Sequence, residues 1–157
     1  MASSVFAIVT ALGAAIQAKM GAGYDLRYGL PDQSAMGIAN DEAVYIRLAQ
    51  EVSTVATNLT ENVRPRISIY VTRPHSGDPT TSASHEATLD MMTDVRVAIA
   101  DRIQAHHTGA TPIPGYSGPL FFEGQTSTPS VLSIGTGSQE AVTADFDFRF
   151  TRNVGAR

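Results

Sequence analysis

The chain has 157 residues, a formal charge of −4 and no cysteine. That length suits one domain with a core of its own, and the absence of thiols excludes disulfides, thiolate zinc sites and a cysteine nucleophile. The acidic balance argues against a general nucleic-acid binder.

Only Lys19 among the eleven basic residues is a lysine. Arginine is favoured and lysine depleted at packed interfaces, so the bias leans towards assembly. A GC-rich genome would give the same bias.

Ser3 or Ser4 can cap a first helix over 5–20. Val5, Ile8, Val9, Leu12 and Ile16 share one face, and Gly21 and Gly23 end it. Ala7, Ala11, Ala14, Ala15 and Ala18 keep the other surfaces small, which permits close packing and also raises helix propensity. The run is apolar enough to suggest a signal peptide. No Lys or Arg precedes Lys19, however, and the segment is too short and interrupted to span a bilayer. A packed helix is the expectation.

A short strand is expected over 24–28, then a Gly/Pro/Asp/Ser/Asn-rich loop over 29–40. The segment 41–59 supports two readings. Val44, Ile46 and Leu48 alternate as in a strand, and 52–57 is β-branched. Tyr45, Leu48, Val52, Val55 and Leu59 also make a helical stripe, with Asn40 as its cap. Two strands are preferred, because β-branched residues are dense and the next strand needs a partner.

That next strand lies between Pro65 and Pro74, with Ile67, Ile69 and Val71 alternating with Arg66, Ser68, Tyr70 and Thr72. A polar loop over 75–84 follows, turning at Gly77-Asp78-Pro79. Ser84 is then expected to cap a long helix over 85–107, ended by Gly109. Leu89, Met92, Val95, Ile99 and Ile103 form its apolar stripe, with Glu86, Asp90, Asp94 and Asp101 roughly opposite.

Residues 108–116 are expected to be irregular, 120–123 a short strand, 124–130 a polar loop, 131–134 extended and 135–138 a turn. The closing strand, 141–152, is the clearest. Val142, Ala144, Phe146, Phe148 and Phe150 face one way, and Thr143, Asp145, Asp147, Arg149 and Thr151 the other. That polar face is expected to meet solvent or a partner subunit. Residues 153–157 read as a loose tail. The expected fold is α+β: a mixed or antiparallel sheet packed against an N-terminal helix and one long helix, in one domain.

Catalytic motifs are missing. His85-Glu86 begins like the HExxH zinc helix, but Leu89 stands where the second histidine is needed. His106 and His107 are adjacent and make a poor chelate; interaction with the helix C-terminus suits them better. Gly21-Ala22-Gly23 lacks the third glycine of a dinucleotide loop, and neither a phosphate-binding P-loop nor a nucleophile elbow occurs. Asn58-Leu59-Thr60 is a sequon without a convincing leader. The pairs Asp90/Asp94 and Asp145/Asp147 could bind a cation, although such rows are commonly solvated faces. Asp147 and Arg149 share a strand face and could pair across a sheet or an interface. No metal or cofactor is expected.

The order of elements resembles the tail terminator, or tail completion, proteins of long-tailed bacteriophages, the lambda-type family. The likeness rests on Asp41-Glu42-Ala43-Val44-Tyr45-Ile46 as an early strand, the strand from Arg66 to Pro74, the Ser84-led helix to Ile103, and the closing strand from Ala141 to Arg152. It implies a small α+β domain in a hexameric ring at the head-proximal end of the tail tube, a virion protein made in the host cytoplasm. The implied partners are other copies of the chain, the tail tube protein and a neck or connector protein. DNA would only pass through the lumen, and no membrane is involved. The head–tail stopper and the connector adaptor are the neighbouring alternatives; a small enzyme or ligand-binding domain using His75, His85 or His106 with carboxylates is a third. On the ring reading, Arg149 and Arg152 are the candidate subunit contacts. Glu86, Asp90, Asp94 and Asp101 are the candidate channel-facing row, with Asp145 and Asp147 as the alternative, because a lumen must not hold phosphate tightly.

Overall fold

The computed structural model describes residues 4–21, 25–29, 42–74, 83–114, 119–134 and 137–153. The elements are α1 (Ser4–Met20), β1 (Asp25–Tyr28), β2 (Ala43–Val55), β3 (Thr60–Pro74), α2 (Ala83–His107), β4 (Phe121–Ile134) and β5 (Gly137–Asn153). The fold is α+β. One five-stranded sheet has the order β1-β2-β3-β5-β4, with β1 parallel to β2 and every other pairing antiparallel.

The core lies between the two helices and one face of the sheet. Val44 and Ile46 from β2, Ile67, Ile69 and Val71 from β3, and Phe146, Phe148 and Phe150 from β5 all point into it, as the strict alternation of β3 and β5 requires. From α1 come Val5, Ile8, Val9, Leu12 and Ile16, the whole predicted face. At Gly13 an added Cβ would stand 2.5 Å from the Tyr28 hydroxyl, so the half-exposed Tyr28 ring lies over α1 where any larger residue would push it aside. Gly109, at φ +76°, ends α2 as expected.

Four of the five predicted stripe residues of α2 are buried; Leu89 is not, at 38% exposure. The buried set is Thr88, Met91, Met92, Val95, Ala98, Ile99, Ile103 and His106. Its seam passes through a threonine and a histidine, and the larger apolar side chain beside Thr88 was mistaken for its start. Ser84 is not the cap, because α2 begins at Ala83 and Ser84 lies inside it.

Residues 43–55 form one strand rather than two. A bulge between Leu48 and Gln50 interrupts the register but not the ladder with β3. The extra residue, Ala49, flips the facing of everything after it. The helical stripe read through Leu48, Val52 and Val55 is therefore split, with Val52 opposite Arg64 on one face and Val55 opposite Glu61 on the other.

The expected loop 124–130 is likewise a strand, for β4 runs from Phe121 to Ile134 along β5, with a register shift between Phe122 and Gly124. It is the outermost strand, which is where a proline such as Pro129 is tolerated, and its polarity hid it. Gly137 and Ser138, expected in a turn, already belong to β5, and Asn153 pairs with Thr60 instead of starting a tail. The second face of the sheet is not wholly exposed: Tyr45, Ser68 and Thr72 are buried there. Ser68 donates a hydrogen bond to Asp145, and the Thr72 hydroxyl donates to the Ala43 carbonyl at 3.5 Å.

Candidate assembly surfaces

The histidines do not converge. His85 and His106 sit near opposite ends of α2, about 32 Å apart at 1.5 Å per residue. His106 is buried, and its Nδ1 accepts the Ile113 N–H at 3.0 Å. His107 Nε2 lies 2.7 Å from the Leu120 carbonyl. Together they pin the chain as it leaves α2 and turns towards β4, a role closer to structure than to catalysis. His75 lies outside the described residues. Among the described residues no group of three or more His, Asp or Glu side chains is placed to hold a metal.

The polar row of β5 is engaged by β3. Arg66 stands opposite Asp147 in the register and donates to both its carboxylate oxygens, at 2.7 and 3.2 Å. The hydrogen bond and charge of Asp147 push the Arg66 pKa up. Asp147 therefore pairs across the sheet with Arg66. Arg149 sits opposite Phe121 on β4, its guanidinium 4.9 Å from the ring centre in a cation–π contact.

Arg152, the other arginine expected at an interface, is held within its own chain. Its Nε donates to Glu61 at 2.5 Å and a terminal nitrogen to Glu51 at 3.1 Å. Glu61 is 2% exposed. Burial alone would lower the Arg152 pKa, but the hydrogen bonds and charges of Glu61 and Glu51 carry it upward.

The acidic residues of α2 occupy its outward side: Glu86, Asp90, Asp94 and Asp101 are all exposed. Beneath α2, a cleft of about 240 Å³ lies between Ile99, Ile103, His107 and the rings of Phe122 and Phe146. Phe122 leans on Phe146 and Phe148 with ring centres 5.9 and 5.5 Å away.

Two apolar surfaces stand apart from these. The first is the hairpin joining β2 to β3. Every residue from Gln50 to Leu59 is exposed, including Val52 (43%), Val55 (79%) and Leu59 (75%). Its turn is well built: the Thr57 hydroxyl accepts the N–H groups of Leu59 and Thr60, and the Thr60 carbonyl accepts those of Ala56 and Thr57. The second is an open groove of about 540 Å³ along α1, lined by Phe6, Ala7, Thr10, Ala11, Ala14, Ala15, Arg102, Thr111 and Pro114. Arg102 donates to the carbonyls of Thr111 and Pro112. The alanines had been noted in the sequence as a means of close approach; the hairpin had not. Its signal was the uncharged run from Val52 to Thr60 between two glutamates.

The sequence matches no protein-family model and no curated protein. No helix among the described residues is long and apolar enough to cross a membrane.

Proposed function

We propose that this chain is a structural subunit of a closed homo-oligomeric ring, a hexamer at the head-proximal end of a phage tail. There it ends growth of the tail tube and joins the tail to the neck. The observation that carries this reading is the end of the β2–β3 hairpin, where Val52, Val55 and Leu59 are exposed although Val63, across from them on β3, belongs to the core. Apolar side chains gathered at one exposed end of a sheet are suited to association. The order of elements, which resembles the tail terminator proteins, gives that association its setting.

On this reading the partners are other copies of the chain, the tail tube protein and a neck or connector protein, and the protein turns over no substrate. The outward acidic row of α2 suits a wall past which DNA moves, since carboxylates do not retain phosphate. A stopper or adaptor ring of the neck would use the same hairpin end and differs only in its layer. The enzyme alternative, a site that joins His75, His85 or His106 to carboxylates, differs in predicting turnover of a small substrate.

Native mass spectrometry of the purified chain, with imaging of virions to locate it, is the test. A closed ring matching the symmetry of the tail tube at the head–tail junction is the expected result. A monomer absent from virions overturns the reading.

A further inference from the structure

The face of the sheet turned away from the helices carries a row that the monomer alone does not explain. Val63 pairs with Phe150 and Arg66 with Asp147, and this register sets Arg64 directly across from Arg149. Val52 on β2 stands beside Arg64, and Phe121 on β4 stands beside Arg149. All four side chains are exposed. The row therefore reads apolar, cationic, cationic, apolar across four strands. Like charges directly opposite one another on neighbouring strands destabilise a sheet. The flanking rows do not relieve them. In one, Arg66 takes both oxygens of Asp147; in the other, the Thr151 hydroxyl donates to Asn62.

Two guanidiniums side by side call for an anion. Arginine forks bind carboxylates and phosphates bidentately, and arginine beside an exposed aromatic ring is the composition of an interface core. The surroundings decide between the two anions. Along β5, Asp147 and Asp145 lie on the same face beside Arg149, so a run of phosphates following the strand would meet carboxylates at once. Across the sheet, Val52 and Phe121 close the row at both ends. What fits is one or two negative charges with apolar groups on either side, as the acidic side chains of a protein surface present them. We propose that Arg64 and Arg149 together dock carboxylate side chains of a protein partner, with Val52 and Phe121 as the apolar rim. This rests on the ring reading above and names the chemistry that a neighbouring protein in the assembly brings to the contact. The Arg149 guanidinium is already held over the Phe121 ring, and the partner's carboxylates relieve its opposition to Arg64 in the complex.

The test uses the full chain and two probes, a capped hexaglutamate peptide and a thymidine hexanucleotide. Each is titrated at low salt while the arginine Nε–H signals are followed by NMR. The peptide should shift the Arg64 and Arg149 signals saturably, and Arg64→Met/Arg149→Met should bind it about tenfold more weakly or worse. Tighter binding of the hexanucleotide than of the peptide overturns the protein partner and assigns the row to nucleic acid. No saturable shift with the peptide, or equal peptide binding by the double variant, overturns the site. Stability gives a second readout. Arg64→Met ends the like-charge opposition and leaves Arg149 on Phe121, so the dilute monomer should melt no lower than the wild type. A clearly lower Tm would make Arg64 a structural residue and overturn its docking role. A ring that forms equally well in the double variant overturns this contact and leaves the ring reading standing. Peptide binding by a chain that never assembles supports the site and removes the ring reading.

Discussion

The two halves of β2 live in two environments. Val44 and Ile46 are buried against the helices, while Gln50 to Val55 of the same strand are exposed. The reason is length. The 13 residues of β2 span about 43 Å at 3.3 Å per residue, and the 17 residues of α1 about 26 Å at 1.5 Å per residue. Strand β2 outruns the helix beside it, and its exposed half begins just after the bulge at Leu48. The covered half is held by apolar burial. The exposed half is held by its ladder with β3, by the turn, and by Arg152, which reaches Glu61 opposite Val55 and Glu51 four residues back along β2.

The largest expected effect falls on the covered half. Phe148 is fully buried, so Phe148→Ala should cost about 3–5 kcal/mol in urea unfolding. Ile99→Ala, across the core on α2, should cost about 2–5 kcal/mol, whereas Leu89→Ala should stay within about 0.5 kcal/mol. Equal effects at Ile99 and Leu89 would mean that α2 is rotated from the orientation described.

The cluster at Arg152 is next. Arg152→Met takes the guanidinium away from the buried Glu61 carboxylate, at a cost of about 3–5 kcal/mol. Adding Glu61→Leu should recover much of that loss, because a buried carboxylate that has lost its cation costs more than an apolar side chain in its place. A double variant no more stable than Arg152→Met would show that the pair holds the strands in some other way. A smaller effect belongs to His106→Ala, which removes the acceptor of a buried backbone N–H. About 1–3 kcal/mol is expected, read as a shift in the urea midpoint.

These sites also show which parts of the fold were legible in the sequence. Strand β5 is plain, because from Val142 to Thr151 one face is all apolar and the other all polar. Helix α1 was equally plain. Legibility failed wherever a neighbour, rather than the local pattern, decides the structure. Strand β4 is polar over 123–130, and only its ladder with β5 makes it a strand. Glu61, Thr88 and His106 are buried polar residues whose placement depends on elements distant in sequence or on the chain leaving α2. Arg152 looked available for a neighbouring subunit because its two carboxylate partners lie 91 and 101 residues away. The candidate surfaces are half visible in the sequence: the alanines of α1 stand out, but the exposed end of β2 depends on a bulge and on strand pairing that no local pattern shows.

The smallest expected effect is the most informative about the hairpin end. Leu59→Ser changes a side chain that contributes little to its own monomer, being 75% exposed at a turn whose hydrogen bonds use Thr57 and Thr60. Unfolding of the dilute monomer should move by no more than about 0.5 kcal/mol. The same substitution should act strongly where copies associate. Anything that binds the folded state alone raises its apparent stability by mass action, so the wild-type Tm should climb with protein concentration. For Leu59→Ser that climb should flatten, with the two proteins converging at low concentration and separating at high. Parallel curves, offset equally at every concentration, would place Leu59 in the stability of the monomer and remove the hairpin end from assembly.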